Sequence, residues 1–407
     1  MSQKLPALEG IRVLDFTRAI AGPVCGAYLA DMGAEVIKIE PIGGDPSRNA
    51  SPKVGAFGGY FTNCNRGKKS FTVDLKSDEG KQAFTELLKT ADVLLENNRP
   101  GVMDRLGFGV EDCKKLNPRL IYASVSGFGQ TGPYAMRPGY DLAAQAMGGM
   151  MHITGTPETI PIIPGAAVAD YMTAQNITIA ILLSLFGREK TGIAQRVETS
   201  LVEATISSQL AQSPIYLIDK VIPTREGSKF NNASPYEAYK AKDGYFIFAD
   251  SRSWKMFCEE VIDRPDLADD PRFVTGAVRI KHRLELREVI ESWAADKLVA
   301  DIVAKYAHIL PCAPVNDFEQ VYNDEHIRVH REMFIEIPLA DGNEMTITNN
   351  PIKMSDFQCR PLKGPSLPGA DNEAIMTELG FDEATIANWN ERGIIGGKAG
   401  AGGQRDI

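Results

Sequence analysis

Residues 11–40 read "IRVLDFTRAIAGPVCGAYLADMGAEVIKIE": an apolar run, a helical stretch with Pro23 near its start and Gly33 at its end, and a second apolar run. Proline suits the first turn of a helix and glycine the residue just past its last. The segment is therefore a β-α-β unit, and this commits the chain more than any other feature. Two strands joined by a crossover helix run parallel, and parallel sheets are covered on both faces. The alternation continues through "EGKQAFTELLKTA", an amphipathic helix, and "DVLLEN", a strand. "GVMDRLG" and "GVEDCKKLN" read as short helices and "LIYASVSGFG" as a further strand. Residues 1–200 are predicted to form an α/β layer structure around a parallel sheet.

At 407 residues the chain exceeds one ordinary core and suggests two domains. After "VETSLVEATISSQLAQSPIYLI" the pattern changes to a polar stretch broken by Pro and Gly, and 206–224 reads as a linker. The segment "YEAYKAKDGYFIFAD" alternates around Asp243-Gly244, a hairpin signal, and helical segments follow. Residues 225–325 are predicted to be a smaller α+β domain. A strand pair in "MFIEIPLADGNEMTITNNPIKMS", a helix pair in "NEAIMTELGFDEATIANWNERG" and a disordered tail over 396–407 complete the reading.

The formal net charge is −9, with no block of Lys or Arg able to track a phosphate backbone. Nucleic acid and anionic membrane are thus poor partners, whereas a small anion needs only a local basic pocket. The longest apolar stretch, "ITIAILLSLF", is half a membrane span. No secretory h-region opens the sequence, and six cysteines lie scattered without C-x-x-C spacing. Both features point to reduced thiols and a cytoplasmic setting. His326 and His330 lie four apart in "HIRVH", but no Glu stands between them, and a solvated helix face explains them better than a metal.

Several chemistries are absent. There is no G-x-S-x-G, and "NCNRGKKS" lacks the glycine at position 62 that a phosphate loop requires, which disfavours ATP-driven activation. The first strand-to-helix turn could receive an anion, with Glu40 where a ribose-binding acid would stand. Its A-G-P sequence is not G-x-G-x-x-G, and Pro23 removes a donor. Lys38, Lys76, Arg99, Arg105 and Arg137 each fall at or after a predicted strand end or loop, where doubly wound sheets bind ligands. In "MRPGYDLAAQAMGGM", Asp141 reads as the N-cap of the helix it opens, and Tyr140 is a candidate site-lining residue. Asp170, in "PGAAVADYMTAQ", has two readings: the N-cap of an apolar helix, or a nucleophile surrounded by small residues and kept ionised by the helix N-terminus.

These segments together resemble the family III CoA-transferases, the group that includes formyl-CoA and carnitine CoA-transferases. The similarity runs through "LEGIRVLDFTRAIAGP", "LADMGAEVIKIEP", "GDPSR", "NCNRGKKSFTVDLKSDEGK", "ADVLLENNRPGVMDRLG", "NPRLIYASVSGFGQTGP", "PGYDLAAQAMGG" and "REKTGIAQRVETSLVEA". The resemblance implies a Rossmann-like large domain built from both chain ends (1–205 and 330–395), a small domain (225–325) and two chains interlocked as a homodimer. It implies an acyl-CoA:carboxylate CoA-transferase of EC 2.8.3 type, with Asp170 as covalent nucleophile. Acyl-CoA and a small carboxylic acid would be its substrates, with no tightly bound cofactor and no metal. The CoA contacts it implies are Arg18, Ile20, Ala21, Val73, Asp74, Leu75, Lys76, Asn97, Asn98, Arg99, Arg105, Arg137 and Tyr140. Two departures stand out: "EGSKFNNASPY" replaces the glycine-rich loop of the formyl-CoA enzymes, which disfavours oxalate, and Pro41 replaces one of their basic contacts. The rival readings are an α-methylacyl-CoA racemase and a non-catalytic CoA-binding protein. A racemase supplies a histidine where Tyr140 stands, and tyrosine, titrating near 10, is a poor base at neutral pH. Tyr236, Tyr239 and Trp254 are candidates for an acyl pocket, with core packing as the alternative.

Overall fold

The computed structural model describes residues 5–230, 232–249 and 253–396. Six strands form its central sheet: Arg12–Phe16 (β1), Glu35–Glu40 (β2), Lys69–Thr72 (β3), Val93–Glu96 (β4), Ile121–Ser126 (β5) and Arg196–Ser200 (β6). Their order is β3-β2-β1-β4-β5-β6, with every neighbouring pair parallel. All residues of β4 and β5 are buried, as strands covered on both faces must be. The α/β expectation thus takes the form of a doubly wound sheet.

Alternate residues feed two cores. Leu14, Ile37, Leu94 and Phe71 pack with Phe84 and Leu87 of the helix Asp78–Lys89 (α2), and with Ile375 and Trp389 from the C-terminal helix pair. On the other face Val13, Val36, Val93 and Ile121 pack with Cys25 and Leu29 of the helix Ala21–Asp31 (α1). Ile177 and Ile181 of a later helix join the same core. The crossovers explain the order: α1 carries the chain outward from β1 to β2. After β3, α2 returns it to lay β4 on the other side of β1. The direction of winding therefore reverses between β1 and β4, and a crevice opens there beyond the carboxyl ends of the strands.

Three further helices of this unit stand around the crevice: Asp141–Met147 (α3), Val168–Thr191 (α4) and Leu201–Ser207 (α5). By length and composition α4 could cross a membrane. It instead buries Ala169, Thr173, Ile177, Ile181 and Leu185 within the fold, packing on α1, α5, β5 and β6. The run that looked half a span long in the sequence is the middle of a 24-residue helix, extended at both ends by residues too polar to stand out.

The chain divides into two compact units, Met1–Met150 with Pro164–Ser213 and His326–Ile407, and Met151–Ile163 with Pro214–Glu325. Residues 151–163, read in sequence as part of the large domain, group with the second unit. The span read as a linker contains the helix Ser213–Asp219. Within the second unit, Tyr236–Lys240 and Tyr245–Ala249 form the expected hairpin, extended by Cys312–Pro314. Its core gathers Tyr239, Phe246, Phe248, Trp254, Phe257 and Phe273. Tyr239 and Trp254 are therefore packing residues, while Tyr236 is exposed. In the first unit Phe334–Pro338 and Glu344–Thr348 pair antiparallel, as expected. The tail expected to be disordered lies, from residue 397 on, outside the described residues.

Candidate active site

The crevice at the winding reversal is closed at its base by two side-chain hydrogen bonds. The Asn97 amide, one residue past β4, accepts from the Arg18 N–H at 2.9 Å and donates to the Arg18 carbonyl at 2.7 Å. This ties the loop after β1 to the loop after β4. Ala19, next in line, lies at φ 64°, a left-handed conformation uncommon for a residue with a Cβ. The turn ends at Ala21, the first residue of α1.

Above that base lies a cleft of about 270 Å³. Arg18, Ala19 and Ala21 line it from the first loop, Asn97, Asn98, Arg99 and Pro100 from the second, and Asp170 from α4. Ser126, Gly127, Arg137, Gly139 and Tyr140 close the remaining side. Gly127 and Gly139 meet here: a Cβ built on either would fall 2.7 Å from the other's Cα. Only glycine permits that approach, and it brings the loop carrying Arg137 and Tyr140 against the end of β5.

Asp170 is not the N-cap of its helix. The N-cap residue of α4 is Ala167, whose side chain caps nothing, and Asp170 is the third residue of the helix. The cap comes from 28 residues away: one Asp141 carboxylate oxygen accepts the N–H groups of Ala169 (2.8 Å) and Asp170 (3.2 Å). The other oxygen is held by the Gln145 amide at 2.5 Å. Asp141 was expected to cap its own helix, yet α3 has no side-chain cap and Asp141 serves α4 instead. The Asp170 carboxylate is thereby spared capping duty and faces the cleft, where it accepts a hydrogen bond from the Ala21 N–H.

The helix N-terminus was expected to keep Asp170 ionised. Burial, then the nearby charge of Asp141, push its pKa up to about 6, against the Ala21 hydrogen bond that pulls it down. Tyr60 and Cys64 also lie close enough to sense the Asp170 charge, and burial raises both of their pKa values, the thiol to about 11. At neutral pH Asp170 is mostly ionised, yet more basic than an ordinary carboxylate.

The other sequence candidates divide by position. Arg18, Ala21, Asn97, Asn98, Arg99, Arg137 and Tyr140 share the cleft with Asp170. Ile20, at the N-cap of α1, packs instead toward Val24, Tyr28, Cys64 and Ala174. Val73, Asp74, Leu75 and Lys76 follow β3, away from the cleft. Val73 bridges to Ile395, Asp74 donates its N–H to the Ile394 carbonyl, Leu75 is core and Lys76 is exposed. Arg105 is exposed on the short helix Val102–Leu106 and does not line the cleft. Lys38 and Glu40 are excluded as ligands of an open site. Lys38 is 1% exposed, bonded to the Thr17 carbonyl and paired with Asp45. Glu40 is equally buried and gripped by Arg48 and Ser70.

A larger cavity of about 510 Å³ shares Arg99 and Pro100 with the cleft and is lined by Glu96, Ser124, Gln130 and Arg196 among others. Burial pushes the Glu96 carboxyl up to about 7, although Ser124 and the Asn98 N–H both bond to it. A buried acid committed to two donors is a weaker nucleophile candidate than Asp170, so size does not decide between the cavities. Among the described residues no cluster of His, Cys, Asp and Glu could hold a metal ion.

What sequence reasoning missed is the partner of each candidate: Asp141 as the cap of α4, Asn97 as the clasp on Arg18, and the Gly127–Gly139 contact. Only the last left a local signal, in "SGFG" and "RPGY".

The model of CoA-transferase family III matches residues 8–372. A succinyl-CoA:mesaconate CoA-transferase of Haloarcula hispanica is 37% identical, covering 93% of this chain and 98% of its own length. The succinyl-CoA:glutarate CoA-transferase of Mus musculus is 33% identical over 95% of this chain and 90% of its own. Among solved structures, a CAIB/BAIF family protein from Brucella suis superposes with TM-score 0.83 at 34% identity. The match covers 93% of this chain and all of that one.

Proposed function

The chain belongs to CoA-transferase family III, and from that premise we propose that it moves CoA from an acyl-CoA to a free carboxylic acid through a covalent intermediate on Asp170. The observation carrying this reading is the position of Asp170 in the cleft: half-buried, relieved of capping by Asp141 and more basic than an ordinary carboxylate. A carboxylate nucleophile needs to be ionised at working pH and as basic as that condition allows.

An Asp170 oxygen attacks the thioester carbonyl, and CoA leaves as the thiolate, giving a mixed anhydride. The thiolate attacks the aspartyl carbonyl of that anhydride, forming an aspartyl-CoA thioester and releasing the acid as its carboxylate. The acceptor carboxylate then attacks the aspartyl thioester, expelling CoA thiolate and forming a second anhydride, and the thiolate attacks the acyl carbonyl of that anhydride, releasing the Asp170 carboxylate. The products are the new acyl-CoA and the restored Asp170 carboxylate. One thioester replaces another, no net proton moves, and no nucleotide is consumed, in keeping with the missing phosphate loop.

Arg99, Arg137, Asn98 and Tyr140, at the rim of the cleft, are the proposed CoA contacts within it. Arg137 lies 3.8 Å from the ring centre of Tyr134, which braces a guanidinium suited to phosphate. Arg105, exposed on the short helix Val102–Leu106, and Lys76, exposed beyond β3, belong to the proposal as outer contacts with the nucleotide end, alongside the main chain of Val73–Leu75 and of Ile20. A homodimer in the cytoplasm is part of the same reading. It is supported by Ile179, Leu183 and Phe186, which expose one apolar stripe of α4, and by six buried cysteines without C-x-x-C spacing. The two named relatives act on succinyl-CoA with mesaconate or glutarate, so such acids are the first acceptors to assay.

The test is exchange itself: acyl-CoA plus isotope-labelled free acid, followed by separation of the CoA esters. Labelled ester should form with the wild type and not with Asp170→Asn, and peptide mass spectrometry of the quenched wild type should find CoA on the Asp170 peptide. Loss of α-hydrogen stereochemistry without an acceptor acid would instead indicate a racemase.

A further inference from the structure

We propose that Arg18 receives the second carboxylate of the acyl group, so that the cleft takes dicarboxylic acids in preference to monocarboxylic ones; this rests on the transferase reading above. Three arginines line the cleft with Asp170, and their burial separates them. Arg99 and Arg137 are exposed, whereas Arg18 is half-buried. Exposed guanidinium groups can meet hydrated phosphates at the mouth of a site. One drawn into a cleft loses water and needs an anion in exchange.

No protein group among the described residues provides that anion. Among the described residues only the main chain of Arg18 is hydrogen-bonded, and it is held from both sides by Asn97. A recess of about 10 Å³ places Arg18 beside Glu40 and Asp45, but both acids are already committed. Glu40 binds Arg48 and Ser70, and Asp45 binds Lys38 and Ser47. The Arg18 guanidinium is therefore uncommitted, while its base is fixed by the Asn97 clasp and by the left-handed turn at Ala19. Three residues on, the Ala21 N–H holds Asp170. A main chain held by that clasp, and a side chain with no partner among the described residues, put a cation available to a carboxylate on the lining of the nucleophile's cleft.

The chemistry of the acid completes the argument. One carboxyl of the substrate must reach Asp170 to become the thioester or anhydride. In a dicarboxylic acid the other remains ionised throughout, and confining it in a partly dry cleft requires a counter-charge. A guanidinium meets it with two parallel hydrogen bonds. The methyl end of a monocarboxylic acid of equal length would leave Arg18 desolvated and unpaired. Discrimination by a charged group of this kind is on the order of 100-fold.

Equal-length acids give the test. Exchange is measured between succinyl-CoA and labelled succinate and between butyryl-CoA and labelled butyrate, for wild type, Arg18→Gln and Arg18→Lys. CoA affinity is measured in parallel by calorimetry. The wild type should favour succinate by about 100-fold in kcat/KM. Arg18→Gln should collapse that ratio to within a few-fold, mainly through a raised KM for succinate and with a far smaller change in the KM for butyrate; Arg18→Lys should restore part of it. The proposal is overturned by an unchanged ratio in Arg18→Gln, by a wild type that prefers butyrate, or by equal loss for both acids with weakened CoA binding, which would make Arg18 a CoA contact. A wild type that binds CoA but exchanges neither acid overturns the transferase reading and this inference with it.

Discussion

Replacing Asp170 by Asn should abolish turnover and make the protein more stable at alkaline pH. Burial and the Asp141 charge raise the Asp170 pKa from 3.8 to about 6 in the fold. The folded state therefore holds a proton on this group more tightly than the unfolded chain does. Because the folded pKa is the higher one, ionising Asp170 lowers stability as pH rises from about 4 to 6, and the penalty is complete above about pH 7. The difference between the two values corresponds to at most about 3 kcal/mol at pH 8. Linkage leaves about a third of that at pH 4.5. Asparagine never ionises, occupies the same space and can still accept from Ala21. The assay is thermal unfolding of wild type and variant at pH 8 and pH 4.5. At about 2 °C per kcal/mol for a unit of this size, the variant should gain up to about 6 °C at pH 8 and about 2 °C at pH 4.5. A variant no more stable than wild type at pH 8, or stabilised equally at both pH values, would refute the placement of Asp170 as a half-buried carboxylate strained for chemistry.

Asp141→Asn can still cap α4 through its amide oxygen, but it removes the charge that helps raise Asp170, so the acid limb of the kcat/KM profile should move below pH 6. Asp141→Ala loses the one oxygen that accepts both N–H groups and should cost about 1–2 kcal/mol in urea unfolding. The double variant Arg99→Ala/Arg137→Ala should raise KM for acyl-CoA about 10- to 100-fold with kcat changed far less, and should flatten the salt dependence of binding. Phe84, fully buried against Phe16 and Phe108, should cost about 3–5 kcal/mol when cut to Ala, read as a loss of denaturation midpoint.

The sequence by itself determined the architecture of the first unit, because strand and helix periodicity and the Pro and Gly punctuation are local properties. The β-α-β segment 11–40, the amphipathic helix at 78–89 and the hairpin at Asp243-Gly244 lie where those patterns put them. It also marked Asp170 by its unusual surroundings of Gly and Ala. Tertiary structure decided everything that depends on distance through space. Asp141 and Asp170 are 29 residues apart, yet one carboxylate caps the helix of the other and raises its pKa. Lys38 and Glu40 look like ligands at a strand end and are in fact consumed by Asp45 and Arg48. Arg18 resembles the other arginines in sequence, but the Asn97 clasp and its burial set it apart. Coulomb interactions and desolvation fall off with separation in the folded molecule, and chain order encodes that separation only within a turn of helix or a pair of strands.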